Sequence, residues 1–404
     1  MGSGTGAIRL RSLSGASARR TRGRLNVAFL VLISITLPGA STERSAAQSG
    51  AAPYEAAEGC GECHAAIHQA WSASPHAQSA TNPVYLESLD RAAEVAGGKA
   101  AARRACVWYH APTTLVTNDL DLNQPISQEG ITCDFCHTVK DVDLEKDGHP
   151  FLLEPGGVKR GPFEYAEPVA HETAFSSLHR YSPLLCASCH EFTNGNGVPI
   201  LSTYTEWKEG PYPARGVPCQ GCHMALVPGR VTAGGTEKEG SARVVNLHRL
   251  VGGSSRGQLD TGLDLVLKSV RRSAGRVELT VEVANVAAGH AVPGGLSTKT
   301  LVLSAGVESG DETLQHIRSR RYRREIEDAD GRVLKTVPDL FLKGASVGLD
   351  NRIRPRESRT ERFNLPIPAG ARAIVVRLEY EDASDPRIAP VVIRITEVRE
   401  QLDK

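Results

Sequence analysis

Four copies of one five-residue pattern constrain this chain more than any other feature. Each copy reads Cys-x-x-Cys-His, and together they use eight of the nine cysteines. The copies lie at Cys60–His64, Cys133–His137, Cys186–His190 and Cys219–His223. This pattern is the attachment signature of c-type haem. It therefore predicts a fold organised around several covalently bound haems.

The spacing within each copy has a mechanical reason. Two thiols one helical turn apart lie on the same side of a helix, where they reach the two vinyl groups on one porphyrin edge. The adjacent imidazole then binds the iron. Structural zinc and a disulfide framework are the alternatives, but neither requires a histidine after every second cysteine. The predicted attachment residues are Cys60, Cys63, Cys133, Cys136, Cys186, Cys189, Cys219 and Cys222, and the predicted iron ligands are His64, His137, His190 and His223.

The ninth cysteine stands in an incomplete copy of the motif. Cys106-Val-Trp-Tyr109-His110 has tyrosine where the second cysteine is expected. We predict a fifth haem here, held through Cys106 alone and ligated by His110. The alternative is a site that has lost its haem and keeps Cys106 as a spare thiol. The predicted cofactor is thus haem c, in four copies or five.

The second axial ligands should be histidines. Met224, the only internal methionine, is the neighbour of His223 and cannot reach the opposite face of that haem. An iron with two histidine ligands lacks the methionine thioether that raises the reduction potentials of cytochromes c. Centres of low reduction potential are therefore expected. Four histidines on loops are the predicted distal ligands: His76, His171, His248 and His290. His179 or His149 is the substitute if His290 does not face a haem, whereas His68 shares a helical face with His64 and should be a packing or propionate partner.

The N-terminus has the pattern of an export signal. Several arginines precede the apolar run 25–37, and small residues follow up to Ala47, where we predict cleavage. About 13 apolar residues are short of the roughly 20 that span a bilayer, so no stable membrane anchor is expected after cleavage. Removing residues 1–47 leaves 40 basic and 45 acidic residues. A soluble periplasmic protein is predicted. Because its net charge is negative, nucleic acid is not an expected partner.

The composition changes near residue 255. Residues 52–254 hold every cysteine, with short helical pieces and many Gly and Pro, which predicts a mainly α and irregular multihaem cytochrome domain. Residues 255–404 alternate apolar and polar side chains and predict an all-β, sandwich-like domain. A helix is expected over Ala92–Ala105, and Arg318–Arg324 are expected on a solvated edge strand. The predicted strands are Leu263–Val270, Arg276–Val283, Thr300–Val307, Phe363–Ile367, Ala373–Tyr380 and Val391–Val398.

The order of these motifs resembles a known family over residues 60 to 300. With Trp71 and His76 after the first motif and Gly289-His290 near the end, the chain is similar to periplasmic multihaem c-type cytochromes related to the tetrahaem electron acceptor of hydroxylamine oxidoreductase. The resemblance implies closely spaced haems that act as an electron wire. It also implies the distal role for His76, His171, His248 and His290. Tyr109 departs from the family pattern.

Two functional classes follow from these predictions. An electron carrier, exchanging electrons with redox protein partners, needs only a chain of saturated haems, and no catalytic residue is assigned to it. An oxidoreductase acting on a small nitrogen or sulfur compound needs one iron with an open position, for which the site of Cys106 and His110 is the place. A binding role for the β domain, with haems that are only structural, is a third alternative.

Overall fold

The structure is a computed structural model that describes residues 53–146, 148–164, 170–232, 244–310, 313–385 and 387–402. The predicted signal at residues 1–47 lies outside these ranges. Residues Ala52–Lys404 form one compact unit. The predicted division near residue 255 falls within that unit and stays a prediction.

The N-terminal half consists mainly of short helices, as predicted for a mainly α and irregular region. Most span one or two turns, which is the length that a Cys-x-x-Cys-His motif occupies. The helices are α1 Ala57–Cys63, α2 Ala65–Ser72, α3 Pro83–Val95, α4 Lys99–His110, α5 Thr114–Thr117, α6 Pro125–Gln128, α7 Cys133–Thr138, α8 Ser177–Arg180, α9 Leu184–His190, α10 Thr203–Glu209, α11 Cys219–His223, α12 Arg256–Gly262 and α13 Val337–Lys343, with a 3₁₀ turn at Pro213–Arg215.

Small two-stranded sheets connect these helices. Each contains two strands that are consecutive along the chain, and only β3 and β4 run parallel. The eight strands are β1 Val139–Val142, β2 Phe151–Leu153, β3 Val158–Gly161, β4 Glu172–Phe175, β5 Glu191–Thr193, β6 Pro199–Ser202, β7 Leu226–Pro228 and β8 Val244–Asn246. They fix the loops that carry several of the predicted distal histidines.

The helix predicted over Ala92–Ala105 is two helices. Helix α3 ends at Val95 and α4 begins at Lys99, with Gly97 and Gly98 between them. Both glycines have positive φ, 82° and 121°, a backbone region that side chains other than glycine rarely adopt. The two helices nevertheless pack on each other through Tyr85, Leu89 and Val107, which are buried.

The C-terminal half is a two-sheet β-sandwich, which confirms the predicted fold class. One sheet has the strand order β14-β10-β9 and the other β13-β12-β11-β15-β16, and every pairing is antiparallel. The strands are β9 Leu263–Ser273, β10 Arg276–Asn285, β11 Lys299–Glu308, β12 Leu314–Glu327, β13 Ser346–Asp350, β14 Ser358–Pro366, β15 Ala373–Asp382 and β16 Val391–Gln401.

The sandwich core is formed by alternate side chains of facing strands. On β10 the buried residues are Val277, Leu279, Val281 and Val283, each fully inaccessible, while the intervening residues are at least partly exposed. They pack in one cluster with residues from the five-stranded sheet such as Leu303. This period of two is the one that the sequence displays.

The arginine-rich strand is solvated over most of its length, as predicted, with one exception. Strand β13 pairs with β12 only from Arg324 to Glu327, so the preceding arginines lie on an open edge. Arg320 and Arg321 are ion-paired with Glu361 and Glu381 of neighbouring strands and stay exposed. Arg324 is buried instead and reaches the helical part of the molecule.

Polar contacts join the helical part and the sandwich. Arg91 Nη2 of α3 donates to Asp339 Oδ2 of α13 at 3.1 Å, and Asn194 Nδ2 donates to the carbonyl oxygen of Gly344 at 2.8 Å. The two parts therefore share a polar interface. None of the helices in the described ranges has the length and apolar character that a membrane crossing needs.

Candidate haem-binding sites

The five motif histidines all lie at or just after the end of a short helix. His110, His190 and His223 are the last residues of α4, α9 and α11, His64 follows α1, and His137 is the next-to-last residue of α7. Local capping explains α7, whose first turn is closed by Thr132 Oγ1 accepting from the backbone N–H of Phe135 at 3.0 Å. All nine cysteines are free thiols, so the structure has no disulfide framework.

Two predicted distal histidines face motif histidines in the first half of the cysteine-rich region. His64 lies opposite His171 with ring centroids 6.3 Å apart. His137 lies opposite His248, also at 6.3 Å. In both pairs the partners are distant along the chain, so local sequence contains no sign of the pairing.

The other two predicted distal histidines are arranged in the same way. His190 lies opposite His76 with ring centroids 6.3 Å apart, and His223 lies opposite His290 at 6.4 Å. All four complete motifs thus have one histidine facing their own.

The separation of these rings fits one metal ion between them. Two imidazoles that bind one metal from opposite sides have ring centres about 6 Å apart, because each metal to nitrogen distance is about 2 Å and each ring nitrogen lies about 1 Å from its ring centre. The residues present therefore fit a bis-histidine haem at each of the four positions.

Hydrogen bonds to the backbone orient most of these imidazoles. In six of them Nδ1 is bonded to a carbonyl oxygen, which leaves Nε2 for a metal. The acceptors are Val231 for His64 at 2.8 Å, Arg160 for His137 at 2.5 Å, Val251 for His223 at 2.7 Å, Glu172 for His171 at 3.0 Å, Asn246 for His248 at 2.7 Å and Ala291 for His290 at 3.0 Å. These carbonyl partners have no signature in the sequence.

Burial keeps three of the candidate ligands neutral. Desolvation lowers the pKa of His76 and of His248 to about 4 and that of His190 to about 3. A neutral imidazole has the free lone pair that metal binding requires, whereas a protonated one has none. At neutral pH these three side chains are therefore ready to act as ligands.

His179 has a different environment from the four facing histidines. Its ring stacks on His137 at 5.5 Å and 17°. Both of its nitrogens are hydrogen-bonded, Nδ1 with Ser176 Oγ and Nε2 with the carbonyl oxygen of Cys136, each at 2.8 Å. No nitrogen is left for a metal in this arrangement. His68 packs beside Trp71, as expected of a residue on the His64 face of the helix.

The site of Cys106 and His110 lacks a facing histidine among the described residues. His110 Nδ1 is bonded to the carbonyl oxygen of Ser79 at 3.1 Å, as in the other sites, and burial lowers the pKa of His110 to about 4. Tyr85 stacks on the imidazole face with centroids 3.7 Å apart and an angle of 14°. A metal binds in the plane of the ring, so this stack leaves the Nε2 direction open.

Thiols of successive complete motifs lie next to each other. Cys60 shares a hydrogen bond with Cys133, which lowers the pKa of Cys60 and raises that of Cys133. Cys186 and Cys219 share another. Cys136 lies close enough to Cys189 to feel its charge, and burial raises the pKa of Cys136 to about 12. The motifs are therefore spatial neighbours in the order in which the chain presents them.

The chain has clear structural and family relatives. Residues 59–138 match the family model described as cytochrome c554 and c-prime. The crystal structure of a penta-heme cytochrome c552 from Thermochromatium tepidum superposes with a TM-score of 0.71 at 18% identity, covering 87% of this chain and 99% of that one. The superposition shows that the chain has the fold of that structure, and the family match is confined to residues 59–138.

Other similarities are weak. The ApaA protein from Bordetella pertussis matches 34% of this chain and 92% of its own, at 17% identity, but its TM-score of 0.16 is too low to bear on the fold. A comparison with curated protein sequences finds no match.

Proposed function

We propose that this chain is a multihaem c-type cytochrome that transfers electrons through a row of four covalent, bis-histidine haems, with a fifth beside them. The observation that carries the proposal is the set of four histidine pairs, each separated by 6.3 or 6.4 Å. The pairs are His64 with His171, His137 with His248, His190 with His76, and His223 with His290. When bound, haem iron supplies one-electron redox chemistry.

The protein's own residues hold and tune these centres. Paired cysteines attach each porphyrin edge, and carbonyl-bonded imidazoles present Nε2 in a fixed direction. With a histidine on each side, the iron would have no position left for a substrate to enter. None of these irons would have the thioether sulfur of a methionine as a ligand, so all four centres should have low reduction potentials. A saturated, buried iron of this kind is suited to pass electrons and unsuited to bind small molecules.

Thiol contacts support a linear order of electron transfer from the first complete motif to the fourth. Cys60 meets Cys133, Cys136 lies near Cys189, and Cys186 meets Cys219. Cys63 and Cys222 are the two exposed thiols. The first and fourth haems would thus present an edge to solvent, where redox protein partners dock. Residues 1–47 would direct the chain to the periplasm, and no membrane anchor would remain after cleavage.

Replacing His171 with alanine should change the spin state of one haem without changing the number of haems. The first haem would lose its second imidazole, and an iron with one strong axial ligand becomes high-spin. Electron paramagnetic resonance of the oxidised protein should show a new high-spin signal, while intact mass stays that of the wild type. His316→Ala, at an exposed strand position, is the control and should change neither. An unchanged spectrum of His171→Ala would refute this ligand assignment.

The site of Cys106 and His110 favours a second candidate function. With no facing histidine in the described residues and a hydrogen-bonded His110, a haem held there through Cys106 would have one open axial position. Tyr85 Oη is buried without a hydrogen-bond partner in the described part of the chain, and Tyr109 packs between Trp108 and Phe192. An open iron in such a pocket is what an oxidoreductase for a small nitrogen or sulfur compound needs.

Cys106→Ala tests for this fifth haem. We expect wild-type intact mass to correspond to five haems and the oxidised protein to show a high-spin signal that exogenous imidazole removes. Cys106→Ala should lower the covalent count by one and abolish that signal. Tyr109→Cys is the matched control, because it restores a complete motif and should keep five haems. A wild-type count of four that Cys106→Ala leaves unchanged would show that the site carries no covalent haem.

A further inference from the structure

Four charged side chains are packed together where the helical part meets the sandwich. Arg324 and Arg352 each expose only 5% of their side chains, Glu206 exposes 14% and Asp350 exposes 27%. They come from α10, β12 and the end of β13. Charges are rarely taken out of water to this extent, because desolvation can cost more than the pairing returns. The cluster therefore requires an explanation other than stability.

Arg352 is the centre of the cluster. Its guanidinium is forked onto Asp350, with Nε to Oδ1 at 2.8 Å and Nη2 to Oδ2 at 2.7 Å. The same Nη2 donates to Glu206 Oε1 at 2.6 Å. Ser202 Oγ donates to that carboxylate at 2.7 Å and accepts from Arg324 at 3.0 Å. Both carboxylates are thus held by more than one donor.

The cluster contacts the turn that carries His290. Glu206 Oε2 accepts from the backbone N–H of Ala291 at 3.0 Å, and Arg352 Nη1 donates to the carbonyl oxygen of Pro293 at 3.4 Å. Ala291 in turn provides the carbonyl oxygen that Nδ1 of His290 contacts at 3.0 Å. A continuous line of hydrogen bonds therefore runs from Arg352 through Glu206 and Ala291 to the imidazole.

Other contacts hold the rest of this turn, so the imidazole has little freedom. Asn285 Nδ2 donates to the carbonyl oxygen of His290 at 2.9 Å. Val292 and Ile353 exchange two backbone hydrogen bonds of 2.9 and 3.0 Å, which brings the segment of Arg352 alongside the turn. With the turn held in this way, the His290 ring faces that of His223, whose centroid lies 6.4 Å away.

We infer that Glu206 and Arg352 are positioning residues that aim His290 at the iron bound by His223. The inference rests on the proposed function, because it takes His223 and His290 as the ligands of the fourth haem. The ion pair acts on the metal only through Ala291 and His290. It also places the Glu206 carboxylate near the His290 ring and so near the fourth haem.

The test compares Glu206→Ala, Glu206→Gln and His290→Ala in the full haem-loaded protein. His290→Ala should turn one haem fully high-spin in electron paramagnetic resonance. Glu206→Ala removes the acceptor of the Ala291 N–H and should turn a fraction of the same haem high-spin. Glu206→Gln keeps an acceptor oxygen, so the haem should stay low-spin, but loss of the negative charge should raise its reduction potential in a redox titration, because that charge stabilises the oxidised form.

Controls separate positioning from a general loss of structure. Glu381→Gln breaks an exposed ion pair with Arg321 on the same sheet and should change neither spin state nor potential. Intact mass and far-UV circular dichroism report whether each variant is loaded and folded. If Glu206→Ala does not fold, the positioning role is tested by two other measurements. They are the reduction potential of Glu206→Gln and the spin state of Arg352→Lys.

The outcomes distinguish this inference from the proposed function. If His290→Ala leaves the high-spin signal at its wild-type level, the ligand assignment of the fourth haem is wrong and the inference falls with it. If His290→Ala acts as expected while the Glu206 and Arg352 variants keep wild-type spin states and potentials, only the positioning role is overturned.

Discussion

Replacing Cys133 and Cys136 together with alanine is expected to remove one haem and to interrupt electron flow between the two ends of the protein. The second complete motif lies between the first and the third, because Cys133 shares a hydrogen bond with Cys60 and Cys136 lies close enough to Cys189 to feel its charge. Its haem would therefore be the link between the exposed edge near Cys63 and the rest of the row. Intact mass should fall by one haem, and end-to-end transfer should slow by orders of magnitude.

A photosensitiser coupled to Glu58→Cys, at an exposed position on α1, allows this transfer to be measured. In a His290→Ala, Cys106→Ala background the fourth haem would be the one high-spin centre, so its reduction after a light flash can be followed separately. The control is Cys186→Ala without the second motif change, which keeps a thioether at Cys189 and should retain transfer. Undiminished reduction of the fourth haem in the Cys133→Ala, Cys136→Ala protein would contradict the linear order.

Leu303→Ala should lower the free energy of unfolding by about 2–5 kcal/mol. Leu303 is fully buried on β11 in the cluster between the two sheets, where loss of the side chain leaves a cavity. Urea unfolding followed by far-UV circular dichroism measures the change. Ile317→Ala, on β12 with 52% of the side chain exposed, is the control and should change the free energy by no more than about 0.5 kcal/mol. Equal effects of the two substitutions would contradict the assigned core.

Structural features that depend only on neighbouring residues could be predicted from the sequence. A Cys-x-x-Cys-His motif sets its own helical turn, and the alternation on Arg276–Val283 sets a strand, so both were predicted from the residues alone. Gly97-Gly98 weakens a helix in the sequence, yet whether it interrupts the helix depends on how α3 and α4 pack. The strand order of the five-stranded sheet depends likewise on contacts between distant residues.

The part of the candidate site that the sequence did not predict also depends on contacts between distant residues. His76, His171, His248 and His290 were predicted as a set, but their individual partners follow only from the fold. Of the charged cluster, the sequence predicts a place only for Arg324, on a solvated edge strand, and it indicates no role for Glu206 or Arg352. Burial at the junction of the two parts gives them a different role, and no spacing rule connects residues so far apart.

The pairing of His223 with His290 has a consequence for how this protein can be divided. A chain ending at residue 254 keeps every cysteine motif, and so every point of covalent attachment, but loses the imidazole that faces His223. Such a fragment should carry its full complement of haems with the fourth iron open to solvent molecules and to oxygen. The sandwich would then keep the fourth haem an electron-transfer centre. Deleting the sandwich would leave a reactive, open iron at that end of the row of haems.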